Sequence, residues 1–246
     1  MLDGIALEES IRNISFQLIL LATLVITVVV LVSFFHKRKG EKEKIVLFLA
    51  ILVSSVSVTV FMSASTVYIN TISETGGPIH WHADFEIWKC GQKLNVMDPT
   101  GIENRIGTPL LHEHNDDRMH VEGTVVRKSE LNMGKFFQVI GGHISNSDFF
   151  IPTNSGVVGA TNGDLCDGKV GKLQAFVYRV TNPDELKRWK FVQEKVGDIP
   201  SHVLSPYSLI PPGDCIIIEF GEEKDTTEHM CETTRISIQR GELSGG

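Results

Sequence analysis

The sequence predicts an α+β protein in which a two-helix transmembrane hairpin is followed by one extracytoplasmic domain with a mixed β-sheet. Three observations lead to this prediction. Two long uncharged apolar runs open the chain, a short basic link joins them, and several later stretches alternate between apolar and polar side chains. Alternation with a period of two indicates strands that have one buried and one polar face.

The two apolar runs cover residues 14–35 and 45–73, and neither contains a charged side chain. A helix needs ~20 apolar residues to cross a bilayer, and uncharged runs of this length are rare in soluble folds. We therefore expect a hairpin over residues 14–73 with spans at about 14–35 and 45–69. An outer N-terminal tail, residues 1–13, precedes it.

The link between the spans is basic: it contains Lys37, Arg38, Lys39, Lys42 and Lys44. Short loops rich in Lys and Arg stay on the cytoplasmic side of a membrane. The chain is therefore predicted to be a multi-pass protein of the cell membrane, with the N-terminus and the C-terminal domain outside.

The outer part divides into a His-rich α+β domain, residues 76–222, and a polar segment, residues 223–246, expected to be a flexible tail. The patterns in the domain predict strands at 79–89, 94–97, 120–126, 173–180 and 215–220. They also predict a helix from Ser129 to Gly141, an irregular region at 143–171 and a helix at about 182–194. A strand, a helix and a strand in this order would make the C-terminal half β-grasp-like.

Five of the nine histidines lie in two neighbouring segments: His80 and His82, then His112, His114 and His120. On the first strand, His80 and His82 share a face with Asp84 and Glu86, while the apolar residues between them share the other face. A strand face exposed only to solvent would carry mostly Lys, Thr and Ser. This face carries side chains that bind metals or exchange protons.

Neutral imidazole is a common ligand for zinc, copper, iron and nickel. The two rings of a His-x-His on one strand lie ~6–7 Å apart at Cα, so both can reach one ion. The five histidines are therefore the predicted metal ligands. Carboxylates that orient the rings by hydrogen bonds to the second ring nitrogen are expected among Asp84, Glu86, Asp116 and Glu122. A hydrogen-bonded polar core and a pH-responsive histidine cluster are alternatives.

Copper and zinc are the expected ions. Met97 and Met119 lie near the histidines in sequence, and thioether ligands suit Cu(I). The part of the chain from Asn70 onward has 17 basic and 25 acidic residues, and this acidic balance argues against nucleic acid as a partner.

All four cysteines, Cys90, Cys166, Cys215 and Cys231, follow the apolar runs. An outer location permits disulfides, and four cysteines allow three pairings that the sequence leaves open.

Six motifs follow one another in a specific order: Gly-Pro-Ile-His-Trp-His-Ala-Asp-Phe (77–85), His-Glu-His-Asn-Asp with His-Val-Glu (112–122), Leu-x-x-Gly-Lys-Phe-Phe (131–137), Gly-Asp-Leu-Cys-Asp-Gly (163–168), Gly-Lys-Leu-Gln-Ala-Phe-Val-Tyr (171–178) and Pro-Gly-Asp-Cys-Ile-Ile-Ile-Glu-Phe-Gly (212–221). Together they resemble a family of membrane-anchored, outward-facing His-rich domain proteins of archaea and candidate-phylum bacteria. The resemblance covers about residues 76–222 and implies one domain with a shared histidine constellation. Such proteins are often labelled disulfide isomerases, but that chemistry needs a Cys-x-x-Cys motif, which this chain lacks.

These observations predict a membrane-anchored, extracytoplasmic transition-metal-binding protein that acts as a copper or zinc carrier, sensor or supply subunit. They favour binding over catalysis. One alternative is a structural accessory subunit of a larger membrane complex, because a two-span hairpin can dock beside other spans. The other is a cupin-like metal-dependent enzyme, because His80-x-His82 followed by Glu86 matches the first metal motif of cupins.

Overall fold

Two long apolar helices open the chain: α1 spans Gly4–Phe35 and α2 spans Glu41–Ile72. The computed structural model describes residues 3–36 and 40–246, so the basic residues Lys37, Arg38 and Lys39 of the link lie outside the described residues. Both helices are long and apolar enough to cross a membrane. α1 begins ten residues before the uncharged run because the Asp3 carboxylate caps it, accepting from the Ile5 N–H at 3.0 Å.

The two helices contact each other, and Val29 of α1 and Ile69 of α2 are buried. Most of the other large apolar side chains on both helices are exposed. An apolar surface of this extent is typical of helices that lie in lipid, and unusual for a soluble protein.

The remainder of the chain is an α+β domain. Its strands are β1 Pro78–Lys89, β2 Gln92–Lys93, β3 Ile106–Gly107, β4 Leu111–Glu113, β5 Arg118–Thr124, β6 His143–Ile144, β7 Asp148–Thr153, β8 Gly156–Thr161, β9 Leu165–Cys166, β10 Lys169–Val170, β11 Lys172–Val180, β12 Trp189–Lys195, β13 Cys215–Gly221 and β14 Leu243–Gly245. Its helices are α3 Met133–Val139 and α4 Glu232–Gln239, with a 3-10 turn at Lys128–Glu130.

The main sheet has the strand order β14-β12-β11-β13-β1-β5-β4-β3, with β2 paired to β1. It is mixed, because β1 runs parallel to β13 while β11 runs antiparallel to β13. The turn from β1 to β2 consists of Cys90 and Gly91, which both have positive φ angles (51° and 75°). That geometry is typical of a two-residue hairpin turn.

The apolar face of β1 forms the centre of the core. Ala83, Phe85 and Ile87 are almost completely buried, and the Phe85 ring packs edge-on against Phe136 of α3 at a centroid distance of 5.1 Å. The alternation of apolar and polar residues in β1 therefore arises because one side of the strand packs on a helix.

Four strands lie within two residues of their predicted positions: those at 79–89, 120–126, 173–180 and 215–220. The strand predicted at 94–97 is not formed, because Val96 makes only an isolated bridge to Thr153. α3 ends at Val139, two residues before Gly141, which has a φ of 83° and is the predicted stop. It begins later than predicted because Asn132, and not Ser129, accepts a hydrogen bond from the helix, at the Lys135 N–H.

The helix predicted at 182–194 is wrong. Asn182 closes a turn instead of capping a helix: its side-chain oxygen accepts from the Lys190 N–H at 2.6 Å. The chain then returns as β12, antiparallel to β11. Because a hairpin replaces the helix, the β-grasp-like arrangement is also wrong. The region at 143–171, predicted to be irregular, contains the small sheet β6-β7-β8 and the hairpin β9-β10.

The segment 223–246 is structured and is not the flexible tail that its polarity predicted. It contains α4 and the strand β14, which pairs in parallel with β12. The helix packs through the small polar side chains Thr234 and Ser237, which an apolar pattern search does not detect. Upstream of it, the carbonyl oxygens of Thr227 and His229 accept hydrogen bonds from the Tyr178 hydroxyl.

Two disulfides settle the pairing that the sequence left open: Cys90 with Cys166, and Cys215 with Cys231. The Cys215–Cys231 disulfide joins β13 to the residue that precedes α4, and both cysteines are buried. It therefore fixes the C-terminal segment on the sheet.

We expect the double variant Cys215→Ser/Cys231→Ser to release the C-terminal segment, because closing a loop of this size contributes ~3 kcal/mol. Trypsin should then cut after Lys224 and Arg235 at least tenfold faster than in the wild-type protein, as followed by mass spectrometry. The matched variant Cys90→Ser/Cys166→Ser should leave these two cleavage rates unchanged. Equal rates in all three proteins would show that the disulfide does not hold the segment.

Candidate metal centre

The sheet brings all five predicted histidine ligands together at one end of β1. His80 and His82 lie in the first half of β1, His112 lies on β4, His114 follows β4, and His120 lies on β5. His112 is directly opposite His120 in the β4–β5 pairing, and β5 is the neighbour of β1. We call these five side chains the histidine cluster.

The cluster consists of two imidazole pairs with His120 between them. The Nε2 atoms of His80 and His82 are 2.8 Å apart, and those of His112 and His114 are 3.0 Å apart. The ring centroid of His120 lies 4.8 Å from that of His82 and 4.7 Å from that of His114. We call the first two residues the β1 pair and the second two the β4 pair.

Backbone carbonyl groups orient three of the four paired rings. The carbonyl oxygen of Ser208 lies 2.6 Å from His82 Nδ1, and that of Thr108 lies 3.1 Å from His112 Nδ1. The carbonyl oxygen of Asn104 contacts His114 Nδ1 in the same way. A carbonyl only accepts, so each of these Nδ1 atoms carries the hydrogen, and in the neutral ring Nε2 then carries a lone pair. This is the arrangement found behind metal-bound histidines.

Two glycines allow the backbone to come close enough for these contacts. A Cβ on Gly107 would lie 2.6 Å from the Leu111 carbonyl oxygen and 3.0 Å from the His112 Cα, and a Cβ on Gly213 would lie 2.5 Å from the His82 carbonyl oxygen. A larger residue at either position would push a segment that orients an imidazole away from the cluster. No pattern in the sequence predicts these loop contacts.

The β4 pair has no satisfactory hydrogen bonding in its neutral form. Both Nδ1 atoms carry the hydrogen, so two lone pairs face each other across the 3.0 Å between the Nε2 atoms. A cation between the nitrogens relieves this contact. Burial lowers the pKa of His112 to about 4. At neutral pH His112 therefore does not take up a proton that could lie between the two nitrogens.

His120 is buried, and its Nδ1 has no hydrogen-bond partner among the described residues. Its Nε2 lies 3.1 Å from a carboxylate oxygen of Asp116. Burial works to raise the pKa of Asp116, but the hydrogen bond and charge of His120 and the charge of Arg118 outweigh it and lower that pKa. A carboxylate that holds one ring nitrogen while the other is free is the usual partner of a metal-bound histidine.

Glu122, predicted to orient the histidines, lies at the distance of a ligand. Its Oε1 is 2.9 Å from His80 Nε2 and its Oε2 is 4.0 Å from His112 Nε2. Two groups of side chains can hold a metal ion, with their ligand atoms within 4.8 Å of one another: His112, His114, His120 and Glu122 form one, and His80, His82 and His120 form the other.

Asp84 and Glu86 do not contact an imidazole. Asp84 accepts from Arg118 Nε at 2.9 Å and also contacts the Thr233 hydroxyl. Glu86 accepts from Trp88 Nε1 at 3.0 Å and from Lys93 Nζ at 3.1 Å. The reason is the strand rise of ~3.3 Å per residue, which places Glu86 ~13 Å beyond His82. Glu86 is therefore not positioned to complete a cupin-like ligand set.

Asp84 acts on the cluster only indirectly. Arg118, which it holds, also lies 3.8 Å from Asp116, the carboxylate that contacts His120. Thr233 of α4 contacts Asp84 and is therefore also linked to the cluster through Arg118 and Asp116. Thr233 lies in the segment that the sequence predicts to be a flexible tail.

The two methionines do not support a copper(I) site. Met119 is fully buried on the opposite face of β5 from His120, and the Met97 N–H bonds to the Pro152 carbonyl, at the bridge to β7. The donors in the cluster are imidazole and carboxylate, which suit zinc and copper(II) better than a thioether-dependent ion.

No protein family, no curated protein and no solved structure shows a significant match to this chain. Its function must therefore be argued from the geometry of the cluster.

Glu113 is a buried carboxylate between His112 and His114 in sequence. Its Oε1 accepts from the Asp116 N–H at 3.0 Å, and its Oε2 has no partner among the described residues. Burial raises its pKa from 4.5 to about 7. The folded protein therefore keeps a proton that the unfolded chain releases, and the stability it contributes is lost as the pH rises from 4.5 through 7.

We expect Glu113→Gln to raise the stability of the metal-free protein at pH 8 by up to ~3 kcal/mol, because the substitution removes the buried charge. The difference should vanish at about pH 4.5. Thermal unfolding of full-length protein in chelator, followed by circular dichroism at both pH values, measures this. The exposed Glu228→Gln serves as the matched control, and a Glu113→Gln protein no more stable than wild type at pH 8 would contradict the assignment.

Proposed function

We propose that this chain is a membrane-anchored, extracytoplasmic protein that binds a transition metal ion, zinc or copper, through the histidine cluster. The observation that carries the proposal is the β4 pair: its Nε2 atoms lie 3.0 Å apart while both Nδ1 atoms face carbonyl oxygens. In neutral rings this places two lone pairs against each other, and a metal cation between them would relieve the contact. The unpaired, buried Nδ1 of His120 supports it independently.

The exposure of the ligands favours a carrier, sensor or supply role over a sealed structural site. The His112 and His120 side chains are buried, whereas 59% of the His80 side chain and 40% of the Glu122 side chain are exposed. An ion can therefore enter and leave past His80, and exchange with a partner is possible without unfolding. A closed structural zinc site would instead surround the ion with four protected ligands.

The metal proposal is tested by removing one imidazole from each pair. Full-length protein in detergent, with any affinity tag removed, is titrated with Zn²⁺ and with Cu²⁺ against a competing chelator at pH 7.5. We expect His80→Gln/His114→Gln to weaken binding more than ~100-fold, since even the loss of a residue that only orients a ligand costs 10–100-fold. Both side chains are at least partly exposed, so folding should be retained.

The matched control replaces two histidines remote from the cluster, in His36→Gln/His143→Gln, and should bind like the wild-type protein. A wild-type protein that retains no metal, or a double variant that binds as tightly as wild type, would overturn the proposal. In either case an accessory role in a larger membrane complex would become the leading hypothesis.

The membrane orientation is tested with single introduced cysteines, which is feasible because all four native cysteines are paired. Ile102 is fully exposed in the domain, and Glu41 opens α2 next to the basic link. A membrane-impermeant maleimide should label Ile102→Cys in intact cells, and should label Glu41→Cys only after permeabilisation. The reverse pattern would place the domain in the cytoplasm.

A further inference from the structure

The cluster contains more donors than one ion can use. Five imidazoles and the Glu122 carboxylate converge, and Asp116 lies behind His120. A zinc ion in a protein is almost always four-coordinate, and copper(II) prefers four strong in-plane ligands. A single four-coordinate ion therefore does not account for all of these donors.

The donors are divided in space as well as in number. The close Nε2–Nε2 contacts, 2.8 and 3.0 Å, occur within the β1 pair and within the β4 pair. His120 is common to both groups that can hold an ion. Each pair is oriented by its own loop, since Ser208 contacts His82 while Thr108 and Asn104 contact His112 and His114. This division fits two adjacent metal sites that share His120.

Glu122 connects the two groups. Its Oε1 faces the β1 pair, at 2.9 Å from His80 Nε2, and its Oε2 faces the β4 pair, at 4.0 Å from His112 Nε2. A carboxylate with one oxygen directed at each of two ligand sets has the geometry of a bridge between two ions, which in two-metal sites lie ~3.5–4 Å apart.

We infer that the cluster is a binuclear centre that holds two divalent zinc or copper ions, one on the β1 pair and one on the β4 pair, with Glu122 as the bridging ligand. His120 stands between the ions, with Asp116 as the residue that positions its ring. This inference rests on the proposed function, and it adds the number of ions, their ligand sets and the role of Glu122.

The primary test is the stoichiometry of the wild-type, full-length protein. The protein is loaded with Zn²⁺, desalted, and analysed for zinc and sulfur by mass spectrometry. We expect two ions per chain in the wild type, and one ion per chain in each of the single variants His80→Gln and His114→Gln. The control His143→Gln should retain two ions.

The bridge is tested with Cu²⁺ and electron paramagnetic resonance. Two copper(II) ions joined by one carboxylate should give a half-field transition and less spin intensity than their number requires. We expect Glu122→Gln to remove at least half of the coupled signal, whereas the exposed Glu222→Gln should leave it unchanged.

The outcomes separate this inference from the proposed function. No bound ion in the wild type overturns both. One ion per chain, weakened by either single variant, overturns the binuclear centre and leaves the metal-binding function in place. Two ions with no magnetic coupling, or coupling that survives Glu122→Gln, overturns the bridge.

Discussion

The geometry of the candidate centre depends on how β1 is held in the main sheet. From Asp84 onward the strand is paired in parallel with β13, and its residues 83–87 are buried. His80 and His82 lie before this paired part, where the strand leaves the core. There the loop after β12 contacts the strand: the Tyr207 carbonyl oxygen accepts a hydrogen bond from the His82 N–H at 2.8 Å. One strand is thus anchored by apolar packing at one end and carries imidazoles at the other, so the rigidity of the core is transmitted to the ligands.

The other ligands are placed by pairing with the same sheet. β5 lies beside β1, and β4 pairs with β5 so that His112 is opposite His120. Side chains directly opposite each other in an antiparallel pair have Cβ atoms only ~4.5–5.5 Å apart. The backbone ladder therefore brings the imidazoles together without a dedicated loop. Carbonyl groups of the surrounding loops then fix the orientation of three rings, and Asp116 holds a fourth.

The sequence was informative wherever one side of a strand was apolar. Alternation predicted β1 and β5, and short runs rich in apolar residues predicted β11 and β13. The five histidines could be grouped because they lie in two neighbouring segments of the chain. It failed where structure is set by polar or covalent contacts. Asn182 resembles a helix cap but closes a hairpin. The C-terminal segment is fixed by Cys231 and by Tyr178, and neither contact produces a periodic pattern.

The same distinction applies within the candidate centre. The residue types identified the candidate ligands, but the position of each carboxylate depends on strand register and side-chain direction. Asp84 and Glu86 share parity with His82, yet the strand rise carries them away to partners such as Arg118 and Lys93. Glu122, on a neighbouring strand, reaches two imidazoles. Contacts between strands cannot be derived from the spacing within one strand.

The polar contacts of the cluster have an energetic cost, and under the proposed function this cost would couple metal binding to folding. Facing lone pairs, an unpaired Nδ1 on His120 and a buried oxygen of Glu113 each leave a polar group without its preferred partner. The surrounding core must hold these groups in place in the absence of an ion. A cation that binds only the folded chain removes part of that cost, so stability should rise with metal concentration according to the binding equilibrium. A domain built in this way keeps the candidate ligands preorganised while some of them, such as His80, stay exposed.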